Sequence, residues 1–542
     1  MKIQFILILF LFYICTTLVI SCPDYPEPIE IDQNNPTLQK AYAEVDSIIQ
    51  AGMKANGVKS FIASIVYRDQ IVWSKTYGNV NPLDPKSPPL TLDNAVRIAS
   101  ISKTFTDLMM FQLRDKGIVS LDDPVSKHFP EFTIGNLYNT KKEITLRELA
   151  SHSSGLGREV PCNYDELPDL TKCSEQVIIE RLSKMFVILP TYKTIHYSNL
   201  GLALLGRTLE KAANTQYEKY VHEKIFYPLG MHNSSCYYDD VKDILAQGVD
   251  LWPNGSYSIA PVEGLGWGTP MGGIYSTARD MSKYMAFWLN NEFDDHILDP
   301  STHNEALSAV QLVNDGVNAY GTPFEMFYDS ENQIWTKNKA GQLDGYRTQM
   351  SLIKPLKLGL FFSSLLAFET EDVFTRAATQ VLVPAYEAVL REANSKPQSY
   401  EETIPSFSSI KHSKPPQKIP DHAFVGFYEN SEGSVFIVDN STGSLLASFG
   451  DNVKYNMSAF SEDYPEILRI QVVQTPSYPC WFVVDGSNYE LVYFTLNSED
   501  YLSSDLTCNG VTAMGQKMNL VSKNPNYSST VKLNRPPRSK FL

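Results

Sequence analysis

Positive charge is scarce in this 542-residue chain: 46 Lys and Arg stand against 61 Asp and Glu, a net charge of −15. A surface of that sign repels a phosphate backbone, which excludes nucleic acid as a partner. Only the final stretch, KLNRPPRSKFL, is locally basic, and it has the character of a solvated tail. Histidines number nine and no Cys/His group has zinc-ligand spacing, so no metal centre is expected and no cofactor is called for. There is no internal repeat. There is also no Gly-x-Ser-x-Gly, which removes the nucleophile elbow of an α/β-hydrolase from consideration.

What is present is a globular composition, 43% apolar and 12% aromatic, in a chain too long for one core. Lys2 precedes an apolar run from Ile3 to Ile20, followed by Ser21 and Cys22. Residues 1–21 are expected to be a signal peptide; an uncleaved membrane anchor is the other reading, since the run approaches bilayer length. A bacterial host would make the same stretch a lipoprotein signal with Cys22 lipidated. The expected location is therefore secreted or on the extracellular face of a membrane, with membrane contact only if the segment is retained. Beyond the leader six cysteines remain: Cys22, Cys162, Cys173, Cys236, Cys480 and Cys508. An even set in an exported chain points to disulfides. Proximity favours Cys162–Cys173 and Cys480–Cys508, leaving Cys22–Cys236. Sequons begin at Asn233, Asn254, Asn440, Asn456 and Asn526, and glycosylation there would require exposed loops.

After an N-terminal extension (22–37), residues 38–390 carry alternating strand and helix signals. SFIASIVYRDQIVWSKTYG predicts a hairpin around Arg68-Asp69-Gln70. SISKTFTDLMMFQLRDKG has apolar residues at Ile101, Phe105, Leu108, Met109 and Leu113, which predicts an amphipathic helix ending near Gly117. The stretch from about 100 to 290 is mostly helical and loop-rich. Strand character returns at YRTQMSLI and LGLFFSSLLAF, before the amphipathic DVFTRAATQVLVPAYEAVL. A polar, proline-bearing stretch at 391–420 is a linker by composition. Short β-rich runs at 421–522 (VFIVD, ILRIQVV, CWFVVD, YELVYFTL) predict a small antiparallel β domain, followed by the tail, 523–542. The fold class expected is α/β (α+β): an antiparallel sheet flanked by helices, with an all-helical subdomain and the C-terminal β domain.

Three pieces of the chain could do chemistry. Ser100-Ile101-Ser102-Lys103 puts a serine and a lysine one helical turn apart. The same spacing begins at Ser351, Ser408 and Ser529, in a strand-like run, the linker and the tail; only Ser100 opens an amphipathic helix. There free backbone N–H groups favour developing negative charge, and a partly buried Lys103 could take the serine proton. Tyr197-Ser198-Asn199 stands before a predicted helix and offers a phenol for proton transfer and an amide to grip a substrate carbonyl. Lys339-Ala340-Gly341 stands before a strand. Its lysine supplies fixed positive charge, Gly341 would let substrate approach the backbone, and the Gln342 and Ser100 N–H groups could form an oxyanion hole. Each piece also has a bland reading, as a helix cap, a core tyrosine or a hairpin edge.

In order and distance the three pieces resemble the serine β-lactamase and penicillin-binding protein superfamily, and most closely its class C β-lactamase and D-alanyl-D-alanine carboxypeptidase-like branch. LRELASHSSGLG (146–157) and PMGGIYSTARDMSKYM (270–285) are similar to further stretches of that branch, so the resemblance runs over roughly 40–390. It implies Ser100 as acylated nucleophile, Lys103 as its proton shuttle, Tyr197 as base, Asn199 as substrate-orienting amide and Lys339 as charge support. It also implies a small-molecule or peptide amide or ester as substrate. His152 is expected to be a packing residue. The third motif departs from the pattern, because Ala340 stands where the family carries Thr or Ser. That departure and the added β domain motivate the alternative, a catalytically retired binding or scaffold protein.

Overall fold

The computed structural model describes residues 25–394 and 419–525, except 139–140, 164, 170, 263, 291–296, 369–372, 431–434, 442, 450–452, 461–463, 474–489, 498–501 and 509–516. One compact unit spans Tyr25–Ser399 and a second contains Tyr400–Leu542.

The first unit is built on an eight-stranded sheet. Its strands in chain order are β1 (Phe61–Tyr67), β2 (Gln70–Tyr77), β3 (Gln311–Leu312), β4 (Asn318–Tyr320), β5 (Glu325–Asp329), β6 (Ile334–Leu343), β7 (Tyr346–Ile353) and β8 (Leu358–Ser364). They lie side by side as β2-β1-β8-β7-β6-β5-β4-β3, all antiparallel. The expected hairpin is β1–β2, turning at Arg68, whose φ is +58°. β1, β7 and β8 are buried along their whole length, which is why FIASIVY and LGLFFSS read as apolar runs rather than alternations.

Five helices matter for the site: α1 (Pro36–Asn56), α2 (Ser102–Asp115), α3 (Asn199–Ala213), α4 (Ala278–Leu289) and α5 (Val373–Asn394). α1 starts cleanly because the Asn35 side chain accepts the Thr37 N–H and Pro36 needs no donor there; Gly57, at φ +69°, ends it. Its stripe of Leu38, Tyr42, Val45, Ile49 and Met53 packs with α5 on one face of the sheet, sharing a core with Phe61, Ile65 and Phe362. Each such side chain stabilises the fold by about 1.5–3 kcal/mol on full burial. The other face meets α4 and the helical region that holds α2 and α3, in a second and larger core.

Near the site, Ala95–Arg97 pairs with Tyr275–Thr277, so the chain entering Ser100 is held from outside the main sheet. Cys162 and Cys173 form the expected disulfide. Cys236 has no disulfide partner among the described residues, and Cys22, its expected partner, lies outside them. The Cys480–Cys508 pairing, the leader with Cys22, the CWFVVD run and the Asn526 sequon lie outside the described residues. Asn233, Asn254, Asn440 and Asn456 are exposed, as their sequons require. Among the described residues no helix is long and apolar enough to cross a membrane.

The second unit is a closed antiparallel barrel of eight strands: β9 (Gly426–Glu429), β10 (Val435–Asp439), β11 (Leu446–Phe449), β12 (Val453–Ala459), β13 (Ile467–Val472), β14 (Leu491–Leu496), β15 (Ser503–Cys508) and β16 (Lys517–Ser522). Closure comes from β9 pairing with β16. Inward residues alternate along the strands, as with Phe436 and Val438, Tyr455 and Met457, Leu468 and Ile470. The sequence shows the alternation but not the closure, which depends on register between the first and last strands.

Candidate active site

Ser100 does not open α2 directly. It occupies a single 3-10 turn, Ala99–Ile101, with Ile101 as the N-cap of the helix that follows. Ala99 is left-handed at φ +49°, a strained setting for a residue with a Cβ. Three bonds hold the turn. Ile98 N–H donates to Ile274 O at 3.1 Å, Thr348 Oγ1 of β7 donates to Ile98 O at 2.9 Å, and Ile274 N–H donates to Ser102 Oγ at 3.1 Å. Ser102 is therefore a buried clamp, while Ser100 keeps its side chain half-exposed.

Lys103, wholly buried on the first turn of α2, points its Nζ back at Ser100 Oγ, 2.9 Å away, and also donates to Met271 O at 2.5 Å. Burial pushes its ammonium pKa down; Tyr197 opposes the shift and the Lys339 charge adds to it. Tyr197 arrives from the loop before α3, which Ser198 caps by accepting the Gly201 N–H at 2.8 Å. The Tyr197 hydroxyl interacts electrostatically with Ser100 and Lys103, and Lys103 Nζ lies 5.1 Å from its ring centre. Burial disfavours its phenolate, but the charges of Lys103 and Lys339 outweigh that and pull its pKa below the ordinary value. Lys339 Nζ, on β6, stands 4.8 Å from the Tyr197 ring centre and donates to Glu325 Oε1 at 2.6 Å. Burial alone would lower the Lys339 pKa; the Glu325 carboxylate reverses this, so the lysine is a fixed cation. Lys103 and Tyr197 both give up their protons more readily than a free lysine or phenol, so the unprotonated form of each, the form that accepts a proton, is reached at lower pH.

The structure thus brings Ser100, Lys103, Tyr197 and Lys339 into one cluster. The other three sequence candidates differ. Gly341 faces the serine turn rather than open space: a Cβ there would stand 2.3 Å from Ile98 O and 2.8 Å from Ser100 N. Its role in the fold is to let β6 approach the Ser100 amide. Gln342, the next residue, is exposed and its Oε1 accepts from Arg347 at 2.9 Å. Asn199 lies at the start of α3 with its Nδ2 donating to both Glu159 oxygens, at 3.1 and 2.9 Å. Ala340 is on the face of β6 opposite to Lys339 and Gly341, across from Gln349 of β7.

Four residues at the site escaped the sequence reading. Glu325 is found only through register, which pairs it with Asn338 and so sets it beside Lys339. Arg158 lies 5.0 Å from the Tyr197 ring centre. Met271 contributes a carbonyl, invisible to side-chain motifs although it falls in the PMGG stretch. Asp107, one turn beyond Lys103, is buried, and neither carboxyl oxygen has a hydrogen-bond partner among the described residues. Burial raises its pKa well above the usual range, against the pull of Lys103; Tyr284 of α4 faces it too. A carboxyl that holds its proton longer when folded loses stability as pH rises from the unfolded to the folded pKa. Asp107→Asn removes that loss, so thermal melts should show the variant level with wild type near pH 4 and about 1–3 kcal/mol more stable at pH 8. Equal stability at both values would show that Asp107 does not titrate in this way.

A family model described as Beta-lactamase matches residues 45–383. Beta-lactamase-like protein 2 of Dictyostelium discoideum is 66% identical over 530 residues, covering 97% of this chain and 95% of the relative. A β-lactamase/D-alanine carboxypeptidase from Yersinia pestis, solved with citrate, superposes with a TM-score of 0.54 at 25% identity, covering 64% of this chain and 99% of its own. The octameric penicillin-binding protein homologue from Pyrococcus abyssi shares the fold with a TM-score of 0.56 at 18% identity, covering 88% of this chain and 99% of its own. The antiparallel sheet, the SxxK turn and the Tyr and Lys gathered around it are thus found in a chain that belongs to the β-lactamase family.

Proposed function

We propose that the chain is an exported serine hydrolase that cleaves an amide or ester through an acyl-enzyme on Ser100. The observation that carries this reading is the buried Lys103 Nζ at 2.9 Å from Ser100 Oγ, with the Tyr197 ring centre 5.1 Å from that Nζ. In acylation, Ser100 Oγ attacks the substrate carbonyl carbon as its proton passes to the Lys103–Tyr197 pair. The resulting oxyanion takes the Ser100 and Gln342 N–H groups as donors. Collapse breaks the bond to the leaving group, which leaves with the stored proton, and water then releases the acyl group by the reverse proton path. Lys339, compensated by Glu325, holds its charge throughout and biases Tyr197 toward its phenolate, the form that can accept a proton.

The substrate class that suits this site is a small molecule or peptide, in keeping with the similarity to the β-lactamase/D-alanine carboxypeptidase from Yersinia pestis. Ala340 carries no hydroxyl and lies on the face of β6 opposite to Lys339, so the third motif offers a substrate carboxylate no hydroxyl, and esters and amides without a nearby carboxylate fit better. Export is supported by the leader composition and by the Cys162–Cys173 disulfide, which persists in oxidising compartments. Ala340 also favours the second reading, a scaffold that has lost catalysis. A fluorophosphonate and a fluorescent penicillin separate the two: wild type is expected to label with at least one, and folded Ser100→Ala with neither. Absence of label on folded wild type with both reagents would leave the scaffold reading standing.

A further inference from the structure

His152 lies in the Ser151-His152-Ser153-Ser154-Gly155 stretch, fully buried, as a packing residue should be. What it packs against is specific. Its ring stacks on Tyr197, with centroids 4.3 Å apart and planes 27° from parallel. The residues on both sides of Tyr197 are bonded to it as well. His196 N–H donates to His152 O at 3.0 Å, and Ser198 N–H donates to His152 Nδ1 at 3.1 Å. One residue thus fixes the tyrosine at three points: the backbone before it, the backbone after it and one ring face.

The other surroundings of that ring are cationic. Lys103 Nζ, Lys339 Nζ and Arg158 Cζ lie 5.1, 4.8 and 5.0 Å from its centre. Because Nδ1 accepts a hydrogen bond, the imidazole proton belongs on Nε2 and the ring is neutral. Burial, then the charges of Lys339, Lys103 and Arg158, push its pKa well below the ordinary histidine value, so it stays neutral at working pH. His152 also holds φ at +58°, a left-handed conformation that costs about 1–2 kcal/mol for a residue with a Cβ and persists only where its surroundings impose it.

We propose that His152 is a positioning residue for Tyr197: its carbonyl, its Nδ1 and its uncharged ring together set where the phenol oxygen stands relative to Ser100 and Lys103. This inference rests on the acyl-transfer reading only for its effect on rate; the placement of the phenol is testable without it. His152→Phe keeps a stacking ring and loses the Nδ1 acceptor. His152→Asn keeps a polar group for the Ser198 N–H and tolerates left-handed φ, but loses the stack. His152→Ala loses both.

Two measurements decide. The first is the second-order rate of fluorophosphonate labelling against pH, for these variants in wild-type and Tyr197→Phe backgrounds. His152→Ala should label about 10–100-fold more slowly with a displaced acid limb. Phe and Asn should each restore part of the rate, and in the Tyr197→Phe background His152→Ala should cause no further loss. Equal losses in both backgrounds, or a wild-type rate and profile for His152→Ala, would overturn the proposal. The second is carbon-13 NMR of ring-labelled tyrosine, with the Tyr197 signal identified by its absence in Tyr197→Phe. Its shift and titration should change in His152→Asn, the variant best suited to fold; an unchanged signal would overturn the proposal even if wild type never labels. Unlabelled wild type with a Tyr197 signal that responds to His152 would sink the hydrolase reading alone.

Discussion

Replacing Lys103 with Met is expected to slow acylation of Ser100 by about 10²–10⁴-fold, the range for loss of a well-placed general base. Methionine fills the volume of the buried lysine, so the loss measures chemistry rather than a cavity. The pH profile sharpens the test. Only the neutral amine can accept the serine proton, and burial makes neutrality available at a lower pH than for a free lysine. Wild-type labelling should therefore rise with pH through the depressed Lys103 value, and Lys103→Met should lose that acid limb. A folded variant that labels within about tenfold of wild type would assign the proton to another acceptor, with Tyr197 first in line.

The second large effect is expected from a single methyl group. Gly341→Ala places a Cβ 2.3 Å from Ile98 O and 2.8 Å from Ser100 N, both backbone atoms, and 2.8 Å from Thr348 Oγ1. Neither backbone atom can rotate away, as the end of a flexible side chain would. β6 and the serine turn must separate, at about 1–3 kcal/mol of stability for overpacking. Movement of the Ser100 amide by even an ångström should also cost about 10²-fold in labelling. Gly157→Ala is the control: no atom lies within 4 Å of its added Cβ, and its melting temperature should stay near wild type. A Gly341→Ala protein that melts and labels like that control would mean that β6 does not constrain the nucleophile.

Much of this was legible in the chain. The Ser100, Tyr197 and Lys339 pieces are local patterns; Tyr197 precedes a helix as expected, whereas Ser100 sits in a 3-10 turn ahead of α2 and Lys339 lies within β6 rather than before a strand. Ser100 and Ser102 could be told apart by the lysine three residues after Ser100. The structure adds that Ser102 is used up in bonding Ile274. The residues that escaped did so for physical reasons. Glu325 reaches Lys339 through strand register and Met271 through its backbone, and neither leaves a mark on side-chain spacing. Gly341 was legible as a position of close approach, but what approaches is the chain itself. Asn199 was legible as a helix start, and its amide is engaged by Glu159, forty residues upstream.

The C-terminal barrel closes on itself where β9 meets β16, so every strand in it has two neighbours. A sheet without a border offers no main-chain template to another polypeptide. Among its described residues this unit therefore offers no strand edge to which a guest, or another copy of the chain, could add. Any recognition it performs must be written in the side chains of its outer wall and rim loops, which can change without disturbing the staves.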